Sequence, residues 1–242
     1  MSYQRKHNTG YILRICGIAA LGGILFGYDT AVISGAIEAL KTYFNLSPAE
    51  TGWAVSNVVI GCVVGAFAAG PLAARWGRKK ALMLAALLFT VSAVGAALAP
   101  TFTWFVIYRI IGGLAVGIAA TVSPMYMSEV SPKDMRGRAL SMQQFAIVFG
   151  QIVIFYVNFK IASLASEAWL VEMGWRWMFA SGVIPCILFC ILVFVIPESP
   201  RWNVMMGRDD QALAMLTKVS NAAHAQNLLK EIKDSLQQDQ QQ

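Results

Sequence analysis

The chain has 242 residues, 57% of them hydrophobic and only 13% charged, with a formal net charge of +6. The apolar residues gather into long runs, and charge is confined to short clusters and a tail, which excludes an ordinary soluble globular domain and marks a membrane protein. The basic balance fits loops that face anionic headgroups in a lipid bilayer, so no nucleic-acid partner is expected.

In chain order, the first apolar run covers residues 12–35. Its basic flank, Arg5, Lys6 and Arg14, resembles that of a signal peptide. The run is too long for one and lacks a small-residue cleavage site, so a retained span is predicted. Further runs at 51–73, 81–99, 104–127, 139–161 and 177–196 are each long enough to cross a hydrocarbon core of about 30 Å. The expectation is an all-α membrane protein with a bundle of six transmembrane helices. Fifteen of the nineteen Lys and Arg fall in the N-terminal segment, the 2–3 loop, the 4–5 loop or the tail. Only Lys41, Lys160 and Arg176 fall at the opposite face, so both termini are predicted to be cytoplasmic, in a multi-pass inner (plasma) membrane protein.

Residues 1–10 read as a cytoplasmic N-terminus and 11–202 as the bundle. Residues 203–236 read as short cytoplasmic amphipathic helices, with stripes of Leu213, Leu216 and Val219 and of Leu228 or Leu229, Ile232 and Leu236. The polar end 237–242 reads as a disordered tail.

The first and fourth spans share a pattern offset by ninety residues: Leu21, Gly22, Gly23, Gly27 and Val32 against Ile111, Gly112, Gly113, Gly117 and Val122. A three-helix unit copied once within six helices is inverted, because an odd number of crossings reverses the second copy. A chance match of Gly-rich segments is the competing explanation.

The same two spans carry Asp29 and Arg109, the only charged residues in the apolar stretches 15–37 and 101–127. A charge at membrane depth costs roughly 2.5–3.5 kcal/mol on insertion scales. With opposite running directions, both sit about 8–9 Å below the outer boundary at 1.5 Å per residue. A static ion pair and a proton switch, in which helix movement changes desolvation and the guanidinium's reach, both fit. On the fifth span Gln144, Gln151 and Asn158 recur every seven residues along one stripe. They suit either sugar hydroxyls, which need donors and acceptors together, or the joining of helices across the bundle.

Cys16, Cys62, Cys186 and Cys190 lie inside spans without nearby His, and read as small apolar helix residues. No nucleophile and base set, metal cluster or phosphate loop is evident. An enzyme, a metal site and a cofactor are therefore not expected.

Three motifs stand at span boundaries: Gly70-Pro71-Leu72-Ala73-Ala74-Arg75-Trp76-Gly77-Arg78-Lys79-Lys80, Glu129-Val130-Ser131-Pro132-Lys133-Asp134-Met135-Arg136-Gly137-Arg138 and Pro197-Glu198-Ser199-Pro200-Arg201-Trp202. With FGYDTAVISG at 26–35, YRIIGG at 108–113, SPMYM at 123–127 and GWRWMFAS at 174–181, they make the chain resemble the sugar porter family of the major facilitator superfamily. The resemblance implies a cytoplasmic gate of Arg78, Glu129, Arg136, Glu198 and Arg201. It implies sugar contacts from Phe26, Gln144 and Gln151, and proton uptake at Asp29 tuned by Arg109. Lys79 and Lys80 need no role beyond topology, and Ala74 stands where the superfamily's loop often has an acid.

Members have twelve helices in two bundles, with the substrate between them. The expectation is therefore the N-terminal half of a proton-coupled monosaccharide transporter working by alternating access. It would be incompetent without a C-terminal six-helix half or a homodimer partner. The alternative is a non-transporting truncated or regulatory membrane protein.

Overall fold

The structure is a computed structural model that describes residues 7–164 and 166–239. Six helices are long and apolar enough to cross a membrane: α1 (Thr9–Tyr43), α2 (Pro48–Trp76), α3 (Arg78–Leu98), α4 (Phe102–Val130), α5 (Arg136–Leu164) and α6 (Glu167–Val193). Three shorter helices follow, α7 (Pro200–Met205), α8 (Asp209–Val219) and α9 (Ala222–Asp239). There is no strand among the described residues.

The helices outrun their apolar cores. α1 continues past the predicted end to Tyr43, and α2 and α3 extend toward each other until only Gly77 separates them. Gly77 turns the chain at φ +94°, a left-handed conformation that favours glycine. α2 begins with a reciprocal capping box between Ser47 and Glu50, with Pro48 in its first turn. α6 is irregular: Leu170–Gly174 form a π-helical segment, and the helix is interrupted at Gly182. Pro185 has no N–H to offer the carbonyl four residues earlier, at Ser181, which explains the interruption.

The ninety-residue echo is structural. α1 packs on α5 as α4 packs on α2, and α6 packs on α1 as α3 packs on α4. Glycines show the register at the atomic level. A Cβ on Gly27 would lie 1.9 Å from the Ile147 carbonyl oxygen, and one on Gly117 would lie 2.2 Å from that of Cys62. A Cβ on Gly150 would lie 2.2 Å from the carbonyl of Ile24, and one on Gly65 would lie 2.3 Å from that of Leu114. Each α1 position thus maps onto α4 at an offset of ninety, and each α2 position onto α5 at eighty-five, so the bundle is two inverted three-helix repeats. Small residues permit this backbone approach, which is how helices associate where hydrophobicity alone gives no preference for a neighbour.

The segment before α1 meets the α8–α9 junction at one end of the bundle. His7 pairs with Ser220 in an isolated antiparallel bridge, and the Asn8 amide donates to the Val219 carbonyl at 2.7 Å. α9 runs to Asp239, three residues into the stretch read as a tail, while residues 240–242 and 1–6 of the expected terminal segments lie outside the described residues.

Candidate functional site

Arg109 is fully buried on α4, and its Nη1 donates to Asp29 Oδ1 at 2.9 Å and to the Asp29 carbonyl at 3.2 Å. The guanidinium also lies 5.6 Å from the ring centroid of Phe179 on α6. Beside the pair, Gly112 lets α3 close on α4, because a Cβ there would meet Ser92 Oγ at 2.4 Å. The pair is incompletely satisfied. Asp29 Oδ2 and the Nε and Nη2 of Arg109 are buried without a partner among the described residues. Beside the carboxylate is a small cavity of about 20 Å³, walled by Leu25, Tyr28, Phe89, Phe179, Gly182 and Cys186 among others.

The pair breaks the pseudo-symmetry that surrounds it. At the ninety-residue offset Asp29 corresponds to Ala119 and Arg109 to Ala19, both fully buried. The charged pair Asp29–Arg109 therefore has as its pseudo-symmetric counterpart the pair Ala119–Ala19, two methyl groups. α1 extends well beyond Asp29, so the pair lies deeper from that helix end than sequence spacing suggests.

Of the three amides on α5, Asn158 is buried and donates to the Val32 carbonyl on α1 at 3.2 Å, which is a helix-joining role. Gln144 is exposed and Gln151 half-buried, and neither makes a hydrogen bond among the described residues. They share an open face of α5 with Val148 and Phe155, which are 45% and 51% exposed, so nothing among the described residues covers that surface. Phe26 is half-buried on α1, the helix against which α5 packs. Sequence spacing did not single out the neighbouring Gln143. It is 6% exposed, both its polar atoms lack partners among the described residues, and it rests against Gly23 of α1.

At the end of the bundle where His7 meets Ser220, Arg78, Glu129 and Glu198 form one network. Arg78 Nη2 donates to Glu129 Oε1 at 2.7 Å, and Glu129 Oε2 accepts a short hydrogen bond from Ser199. Glu198 accepts from the amides of Arg78 at 2.9 Å and Lys79 at 3.1 Å. It thereby caps α3, whose N-cap residue Gly77 has no side chain to do so. A Cβ on Gly77 would strike Glu198 Oε2 at 2.2 Å. Arg136 stands aside from this network and donates to the Ser128 carbonyl at 3.0 Å. Arg201 reaches Ser235 of α9 at 3.4 Å. Glu129, Arg136 and Arg201 nevertheless wall one cavity of about 250 Å³. Lys79 Nζ caps the end of α6 at the Phe194 carbonyl, 2.7 Å away, so it does more than set topology.

Three further anchors were not foreseen. Trp202 Nε1 donates to the Ala74 carbonyl at 2.9 Å, and Tyr126 Oη to that of Pro197 at 3.0 Å. At the far end Arg176 donates to the carbonyls of Ala97 and Ala99 at 2.9 and 3.0 Å while lying 4.3 Å from the Trp175 ring centroid. The Trp and Arg of the boundary motifs were visible in the sequence. Their acceptors, bare helix-end carbonyls, were not.

Inverted three-helix repeats, a buried acid–guanidinium pair and motif charges clustered at one end define half of a major facilitator superfamily carrier. A family model for sugar (and other) transporters matches residues 15–242, and the chain belongs to the sugar porter family. It is 43% identical over 257 residues to the D-xylose-proton symporter of Escherichia coli K12, covering 96% of this chain and 52% of that protein. It is 41% identical over 232 residues to the arabinose-proton symporter of Bacillus subtilis, covering 96% and 50%. The glucose transport protein of Synechocystis is 45% identical over 221 residues, covering 89% and 47%. Among solved structures, the proton:xylose symporter bound to 6-bromo-6-deoxy-D-glucose superposes with a TM-score of 0.92 at 43% identity, covering 96% of this chain and 54% of that one. The chain spans about half the length of the curated relatives it matches. Sugar porters are transporters, not enzymes.

Proposed function

We propose that the chain is the N-terminal half of a proton-coupled monosaccharide transporter of the inner membrane, with both termini cytoplasmic. The observation that carries the reading is the Asp29–Arg109 pair, set inside inverted repeats whose α5 face is uncovered among the described residues. Protonation of Asp29 removes the charge opposite Arg109 Nη1 and leaves the guanidinium held to α1 mainly through the Asp29 carbonyl, which loosens the tie between α1 and α4. A change of that kind biases the balance between two packings of the bundle.

On the open face, Gln144 and Gln151 present amides able to donate to and accept from sugar hydroxyls, with Phe26 as the apolar contact. Arg78, Glu129, Arg136, Glu198 and Arg201 form this half's part of a cytoplasmic gate. Alternating access needs a second body, so a C-terminal six-helix half, or a second copy, completes the transporter. Uptake of labelled xylose, arabinose and glucose in cells expressing the chain with and without the C-terminal half of a related symporter tests this. Uptake that appears only in the pairing supports the reading, and background uptake in every pairing refutes it.

A further inference from the structure

The two repeats are not packed equally closely. By the offsets of the inverted repeat, Gly23 of α1 maps onto Gly113 of α4, and Gln143 of α5 onto Val58 of α2. A Cβ on Gly113 would lie 2.1 Å from the Val58 carbonyl oxygen, whereas one on Gly23 would lie 3.0 Å from that of Gln143. One turn along, α1 and α5 are as close at Gly27 and Ile147 as α4 and α2 are at Gly117 and Cys62. α5 therefore leans away from α1 toward the end of the bundle where His7 meets Ser220, with the Gly27 contact as its pivot.

Two side chains account for the lean. Ala146 stands where the other repeat has Gly61, and a Cβ on Gly61 would lie 2.1 Å from the Ile110 carbonyl oxygen, so one repeat carries a methyl group at a contact that the other keeps bare. Gln143 lies in the gap itself, since a Cβ on Gly23 would meet its Nε2 at 2.9 Å. It is 6% exposed, and neither its Nε2 nor its Oε1 has a partner among the described residues. Buried polar atoms without partners are destabilising, and the valine of the other repeat carries no such penalty. What the amide side chain does is hold the helices apart. Its neighbour Gln144 is on the open face of α5, and Phe26 is beside the pivot on α1, so the lean sets how far those two stand from each other. We propose that Gln143 is a positioning residue: its bulk wedges α5 off α1 and so fixes the separation of Gln144 from Phe26, and with it the fit of the monosaccharide. The inference rests on the transport reading above and extends that site to a residue that does not touch the sugar.

Gln143→Met keeps the bulk and removes the unpartnered amide. Gln143→Val combined with Ala146→Gly reproduces the tighter contact of the other repeat, and Gln143→Val alone is its milder form. Thermal unfolding of the full 242-residue chain in detergent is followed by tryptophan fluorescence. KM and maximal rate of labelled monosaccharide uptake are measured for the chain paired with a C-terminal half that restores uptake. Gln143→Met should raise the unfolding temperature and leave KM within about twofold, because the wedge remains. The double variant should raise KM at least about fivefold with little change in maximal rate, because misplacement by an ångström is enough to loosen a site. Gln143→Val alone should move KM the same way. An unchanged KM in both valine variants, an equal rise in Gln143→Met, or a lower unfolding temperature in Gln143→Met overturns the proposal. So does a fall in maximal rate with KM in place, which is what a merely structural role would give. Uptake by the unmodified pairing with an unmoved KM refutes this inference alone, whereas no uptake in any unmodified pairing refutes the transport reading and the inference with it.

Discussion

Arg109 and Asp29 are joined through a single guanidinium nitrogen, which holds both the carboxylate and the backbone carbonyl of Asp29. Two other donors of Arg109 and one oxygen of Asp29 are left without partners among the described residues. A fully buried arginine that loses its anion is costly, about 3–5 kcal/mol, whereas an apolar replacement of both partners is close to neutral. Asp29→Leu should therefore destabilise the bundle by that amount in denaturant unfolding from mixed micelles. The double variant Asp29→Leu, Arg109→Leu should recover most of the loss.

Gly27 and Gly17 make a matched pair on α1. A Cβ at Gly27 would drive into the Ile147 carbonyl, while at Gly17 nothing lies within 4 Å. Gly27→Ala should cost at least roughly 1–3 kcal/mol through overpacking. Gly17→Ala should be neutral or stabilising by about 0.5–1 kcal/mol, because alanine is the better helix former. Equal effects in thermal unfolding would contradict the close α1–α5 packing.

Glu198 caps α3 from a distant part of the chain, so its loss acts on α3. Glu198→Ala should cost about 0.5–2 kcal/mol, the range for a lost N-cap, and Glu198→Gln should cost less. Hydrogen exchange at the Arg78 and Lys79 amides should accelerate in both variants.

Lys133 donates to Glu231 at 2.9 Å, and this hydrogen bond, followed by the charge of Lys133, lowers the Glu231 pKa below its ordinary value. A carboxylate depressed in the folded state contributes stability above its unfolded pKa, and that contribution is lost as pH falls through the folded one. Both side chains are more than half exposed, so screening limits the pair to roughly 0–1 kcal/mol. Spin labels on α9 should gain mobility as the pH drops below the usual carboxylate range. Lys133→Gln should remove that pH-dependent step, and high salt should flatten it.

The spans, the inverted repeat and the charged pair were legible because each leaves a one-dimensional trace: long apolar runs, a constant offset, and isolated charges in lipid-length segments. The α2–α5 correspondence left little trace, since its evidence is which carbonyl each glycine approaches. Heptad spacing picked the Gln144 stripe, but neighbouring helix residues differ by about 100° in direction, and packing buries Gln143 instead. Asn158 looked equivalent to the other two amides until the Val32 carbonyl appeared beside it. Glu198 was legible as a motif acid, yet its use as a cap for α3 depends on a contact 120 residues away.

The most direct test of the central claim compares accumulation with exchange. The chain is paired with a C-terminal half that restores uptake, with wild-type Asp29 or with Asp29→Asn, and sugar is followed under an imposed proton gradient. The account expects uphill accumulation with Asp29, and its loss in Asp29→Asn while sugar exchange across the membrane persists. Undiminished accumulation by Asp29→Asn would contradict it.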